Sequence, residues 1–229
     1  MSDISKNALE NNVSAKGQVK KGPYRIFNRG GNKKILFFGN SITWHSLSPG
    51  IGWYGDWGMA ASCVEKDYVH LVVSALDEKI GKVDFAIAHA SEWERMTPPE
   101  CEKYLRDTFA PVLDFAADII VIRLGENMPK DAAPACKDYF LDMIDYFVNG
   151  SDAKVVLTDS FWHNSARDEM VREIAGEKGY AFCTLSDLEE DERTMALGKF
   201  EHRGVSLHPS DYGMKMIAER IIETMGQVL

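Results

Sequence analysis

Three short stretches carry residue types that could do chemistry together. Gly39-Asn40-Ser41-Ile42-Thr43 places a serine beside a glycine that permits a sharp turn. Gly125-Glu126-Asn127 offers a carboxamide whose N–H groups can aim at a developing oxyanion. Gly204-Val205-Ser206-Leu207-His208-Pro209 holds an imidazole off helical backbone, because a proline disfavours helix at the residue before it. Ser210 or Asp211 can then cap a helix that follows. A hydroxyl, a base and an oxyanion donor are the parts of nucleophilic acyl chemistry. Each stretch also has a plainer use: Ser41 can cap a turn, Asn127 can close an Asx turn, and a lone histidine before a helix is ordinarily structural. The conjunction of the three is what favours a site.

Such a site requires a fold that brings the three stretches to one edge. Apolar runs at 35–38, 83–88, 119–122 and 155–158, with a weaker one at 180–185, are short enough for buried strands. Between them lie segments with helical spacing: Val69, Val72, Val73, Leu76 and Ile80; Phe140, Met143, Ile144 and Phe147; Met214, Ile217, Ala218, Ile221, Ile222 and Met225. Strands alternating with helices predict right-handed crossovers and a doubly wound, flavodoxin-like α/β fold. Its parallel sheet would have about five strands, with helices on both faces. One domain over 34–229 is expected, and the polar, lysine- and glycine-bearing stretch 1–33 reads as an N-terminal extension. In such sheets ligands bind beyond the carboxyl ends of the strands, where the serine and asparagine stretches fall.

The chain has 229 residues, 45% hydrophobic and 27% charged, the profile of a globular domain with its own core. A formal charge of −9 argues against binding nucleic acid or an anionic membrane surface. Cys63, Cys101, Cys136 and Cys183 form no C-x-x-C pair, so no zinc or redox motif is visible and buried thiols are expected. No basic stretch followed by an apolar one opens the chain, and no apolar run approaches the ~18 residues of a membrane span. A cytoplasmic protein without metal or organic cofactor is the expectation.

The three stretches together resemble the SGNH hydrolases, also called the GDSL esterase/lipase superfamily, from about residue 34 to the C-terminus. Gly39-Asn40-Ser41-Ile42 stands for that family's G-D-S-L, Gly125-Glu126-Asn127-Met128 for its G-x-N-D, and Val205-Ser206-Leu207-His208-Pro209 for its D-x-x-H-P. The resemblance implies an esterase with Ser41 as the acyl-accepting nucleophile and His208 as its base. It implies Asn127 as an oxyanion donor, aided by the Ser41 backbone N–H. No G-x-S-x-G sequence is present, which argues against an α/β-hydrolase elbow.

The chain departs from the family pattern at three points. Val205 stands where an aspartate is expected three residues before the histidine, so no triad can be completed there. Glu126, Glu201, Asp211 or a backbone carbonyl are the candidates to orient His208. The stretch Ala88-His89-Ala90-Ser91-Glu92-Trp93 lacks the glycine whose N–H joins the family's oxyanion hole, leaving that donor unassigned. His89 itself reads as a packed strand-end histidine in preference to a site residue. Asn40 replaces the aspartate of the first block and can serve the same turn.

Trp44, Trp53 and Trp57 lie in one loop after the serine, and Trp162 follows the fourth apolar run. Aromatic faces at a cleft suit sugar rings or a short acyl chain. They could equally form the loop's own small core. Trp57, Trp162 and Glu126 are the candidate substrate contacts. A short acyl ester, acetyl first, on a small molecule or an oligosaccharide is the expected substrate, as the family's carbohydrate acetyl esterases also imply. The competing readings are an esterase or thioesterase for other small acyl groups, a non-catalytic sugar-binding module on the same scaffold, and an FMN-binding flavodoxin-like protein.

Overall fold

The computed structural model describes residues 22–96, 100–129 and 133–229, the side chains of 133–135 excepted. Its sheet contains strands β1 (Tyr24–Phe27), β2 (Lys34–Gly39), β3 (Asp84–His89), β4 (Ile119–Arg123), β5 (Lys154–Thr158) and β6 (Ala181–Cys183), in the order β1-β3-β2-β4-β5-β6. β2 to β6 are mutually parallel, and β1 lies antiparallel to β3 with Tyr24 opposite Ala88. The helices are α1 (Tyr68–Ile80), α2 (Glu100–Leu113), α3 (Ala133–Val148), α4 (Ser165–Lys178), the single turn α5 (Arg203–Ser206) and α6 (Asp211–Met225).

The doubly wound α/β expectation holds, with six strands in place of about five. The added strand corrects the 1–33 boundary: Tyr24–Phe27 belong to the sheet, while 1–21 lie outside the described residues. β1 escapes a periodicity argument because it is a half-buried edge strand of four residues, too short to show alternation.

Side chains alternate across β2. Leu36 and Phe38 point into a core shared with Phe109, Phe140, Met143 and Ile174, residues of α2, α3 and α4. Ile35 and Phe37 point into the opposite core, against Val69, Val72, Leu76, Ile217 and Ile221 of α1 and α6. Both cores exclude water, and truncating Phe38 to alanine is expected to cost about 3–5 kcal/mol. Helix ends are tied down as sequence chemistry suggests: Asp67 accepts from the His70 N–H at 2.8 Å, and Ser210 accepts from the Gly213 N–H at 3.2 Å.

β2 is central and the chain winds away from it in both directions, first to β3 and then to β4. The crevice at that reversal, above the carboxyl ends of β2 and β4, is where the topology leaves room for a ligand.

Candidate active site

β2 ends at Gly39, where a Cβ would lie 1.9 Å from the Thr43 Oγ1, so only glycine fits. The chain then folds back on itself: Thr43 and Trp44 N–H groups donate to the Asn40 carbonyl at 2.9 and 3.0 Å, and the Ile42 N–H donates to the Asn40 Oδ1 at 3.3 Å. This tight turn lifts Ser41, half-buried, above the sheet edge.

His208 meets it from the other end of the chain. The Ser41 Oγ lies 2.7 Å from the His208 Nε2, across 167 residues of sequence. The opposite ring nitrogen, Nδ1, lies 2.6 Å from the Gly204 carbonyl. A carbonyl can only accept, so Nδ1 carries the proton and Nε2 presents its lone pair to the serine hydroxyl. Burial pushes the His208 pKa down to about 4, against the opposing pull of the Gly204 carbonyl, so the ring is neutral and basic at pH 7. Trp162 packs edge-on against this ring at 5.0 Å, and its indole N–H donates to the Leu207 carbonyl at 3.3 Å.

A backbone carbonyl orients the base because of how the preceding turn is built. α5 is capped by His202, whose Nδ1 accepts from the Val205 N–H, and the next turn aims the Gly204 carbonyl at His208. Val205 faces away, 1% exposed, into a small core with Trp53, Met59, Ala60 and Ala196. The expected aspartate position is therefore a packing position here. Of the four candidates, Glu126, Glu201 and Asp211 are excluded as the partner of Nδ1. Asp211 instead accepts from the Ser62 backbone and hydroxyl and from Lys66.

Asn127 is fixed by two charged groups that the sequence reading did not single out. Its Nδ2 donates to the Glu94 Oε2 at 2.5 Å and its Oδ1 accepts from the Arg95 Nη2 at 2.6 Å. The amide orientation is thus set, with one N–H still available. Glu94 is fully buried, and its Oε1 also accepts from the Asn40 Nδ2 at 3.2 Å, from the Gly125 N–H and, at 3.4 Å, from the Asn127 N–H. One carboxylate thereby ties the serine turn to the asparagine loop.

Glu126 is the correction in this loop. Its side chain is 1% exposed and points inward to an ion pair with Arg123, which leaves almost none of it at the surface for a substrate to touch. The Asn40 Nδ2 and Phe161 N–H donate to it at 2.6 and 3.1 Å. Burial raises its pKa, but the Arg123 and Arg167 guanidinium groups outweigh that and hold it below the usual carboxylate range. Burial and then the Glu126 charge push Glu94 the other way. Gly125, at φ +124°, passes directly over Arg167, where any Cβ would clash.

Trp57 is half-buried, stacks edge-on against Trp53 at 5.7 Å and donates to the Ala61 carbonyl at 2.8 Å, which ties it to the loop's own small core. Trp162 lies against the His208 ring. The Ala90 N–H is spent on the Gly39 carbonyl at 2.7 Å, which removes it as a second oxyanion donor. No cluster of potential metal ligands and no helix long and apolar enough to cross a membrane occurs among the described residues.

No protein-family model and no curated protein matches the sequence. Solved structures do match the fold. A protein from Parabacteroides merdae named for its likeness to GDSL lipases superposes with a TM-score of 0.58 at 14% identity, covering 85% of this chain and 96% of that one. A family 3 carbohydrate esterase from Clostridium thermocellum superposes with a TM-score of 0.57 at 17% identity, covering 86% and 96%. LAE5, described as an alpha/beta hydrolase enzyme from the metagenome of Lake Arreo, Spain, gives 0.55 at 14% identity, covering 85% and 95%. At these identities the likeness shows a common fold.

Proposed function

We propose that the protein is a serine esterase of the SGNH type that removes a short acyl group, acetyl first, from a carbohydrate ester. One observation carries the reading: the Ser41 hydroxyl, the His208 imidazole and the Gly204 carbonyl form a continuous hydrogen-bonded relay at the sheet's reversal point.

The Ser41 Oγ attacks the ester carbonyl as its proton passes to the His208 Nε2. The imidazolium that forms keeps its Nδ1–H on the Gly204 carbonyl, which holds the ring in place and disperses its charge. A carbonyl carries less negative charge than a carboxylate, so the relay is a dyad with a neutral support. The tetrahedral oxyanion takes hydrogen bonds from the remaining Asn127 amide N–H and from the Ser41 N–H, which has no partner among the described residues. Collapse breaks the bond to the sugar oxygen, which leaves with the proton from Nε2. Water, deprotonated by the same nitrogen, then releases the acid and restores Ser41.

The carbohydrate assignment rests on Trp162 beside His208 and on the carbohydrate esterase among the structural neighbours. A panel of acetylated monosaccharides and oligosaccharides, set against aryl esters of increasing chain length, tests it. Acetate release from the sugars at the highest kcat/KM is expected. Cleavage of long-chain aryl esters with no release from any acetylated sugar would remove the carbohydrate assignment.

A further inference from the structure

The relay has a counterpart one strand away. The Ser91 Oγ lies 2.6 Å from the His89 Nε2, and the His89 Nδ1 lies 2.5 Å from the Trp44 carbonyl. The logic used for His208 applies again: a carbonyl accepts, so Nδ1 bears the proton and Nε2 is left to take one from the serine. The register places His89 directly beside Gly39, so the second pair stands at the same sheet edge as the first. Ser91 is half-buried, not sealed in a core. The His45 ring meets His89 at 5.5 Å. His89, the base of the pair, lines a cavity of about 530 Å³ together with Arg25, Trp44, His45, Glu92 and Tyr104.

We propose that Ser91 and His89 form a second nucleophilic dyad that accepts acyl groups from small carboxylic esters at this edge of the sheet. The Ser91 Oγ bonds to the carbonyl carbon and its proton moves to the His89 Nε2. The bond to the alcohol oxygen then breaks, and the alcohol leaves with that proton. Burial lowers the pKa of His89, which keeps the ring neutral and able to accept at pH 7. The inference takes over from the proposed function only that this edge of the sheet receives esters.

The test uses a fluorophosphonate, whose phosphorus is attacked by an activated serine with loss of fluoride, on the full chain. Tryptic peptide 83–95 contains Ser91 as its single serine, so an adduct there is unambiguous. In Ser41→Ala, phosphonylation of this peptide is expected, slowed about a hundredfold in Ser41→Ala/His89→Gln, the lower range of what a general base contributes. Ser41→Ala/Ser91→Ala should show no adduct on the peptide, and this arm holds even if His89→Gln lowers Tm. An unlabelled Ser91 in a folded Ser41→Ala protein, with Ser41 labelled in the wild type, overturns the second dyad and leaves the esterase reading standing. Equal rates with and without His89 also overturn it. Failure to label either serine removes both.

Discussion

The Gly204 carbonyl, 2.6 Å from the His208 Nδ1, occupies the role that an aspartate three residues before the histidine would otherwise take. Val205, at that position, is turned into a core of Trp53, Met59, Ala60 and Ala196. Supplying that acid should therefore not raise activity. Val205→Asp would bury an unpaired carboxylate in an apolar pocket, at a cost of several kcal/mol. A lowered Tm and no gain in kcat are expected. A rise in kcat with Tm preserved would mean that residue 205 can reach the imidazole.

The pH profile follows from the depressed pKa of His208, about 4 against an ordinary 6.5. The base form is present above the folded pKa, so kcat/KM should stay level from neutral pH down to about 5 and fall through about 4. The linkage has the same sign: between these values the unfolded chain binds a proton that the native ring refuses. His208's contribution to stability is thus complete above the unfolded pKa and lost as pH falls toward 4. A loss of activity centred near 6.5 would show that the ring is not desolvated.

Glu94 receives only donors, from Asn40, Gly125 and Asn127. Glu94→Gln keeps the shape but turns one acceptor into a donor, which opposes the Asn127 Nδ2 and favours a flipped amide. We expect kcat to fall by about a hundredfold with KM little changed, the cost of one oxyanion donor. Asn127→Ala should match it, and the double variant should add little, since both lose the same N–H. Independent, additive losses would separate Glu94 from Asn127.

Gly39→Ala tests the turn itself. The added methyl would collide with Thr43, whose backbone N–H closes the turn. A loss of about 1–3 kcal/mol in stability is expected from overpacking, with Ser41 displaced and kcat reduced. Gly39→Ala combined with Thr43→Ser should not relieve the clash, because the hydroxyl oxygen remains.

Much of this site is legible in sequence because side-chain type and turn chemistry coincide there. Ser41, Asn127 and His208 each sit beside glycine or proline at a boundary that periodicity alone can find. Gly204 is different: a backbone carbonyl leaves no residue-type signature, so its role emerges only with α5 in place. Glu94 and Arg95 lie in a single 3-10 turn after β3, too short for periodicity to mark one as buried. Arg123 did carry a signal, a charge ending the apolar run 119–122, since a fully buried guanidinium needs a buried partner. That partner is Glu126.

The destination of the acyl group decides the role of Ser41. Rapid-quench mass spectrometry of the wild-type protein with an aryl acetate should find an acetyl group on the peptide that carries Ser41, formed and lost at rates consistent with turnover, and none on that peptide in Ser41→Ala. Acetate release at an undiminished rate in Ser41→Ala, with no acetyl on Ser41 in the wild type, would contradict it.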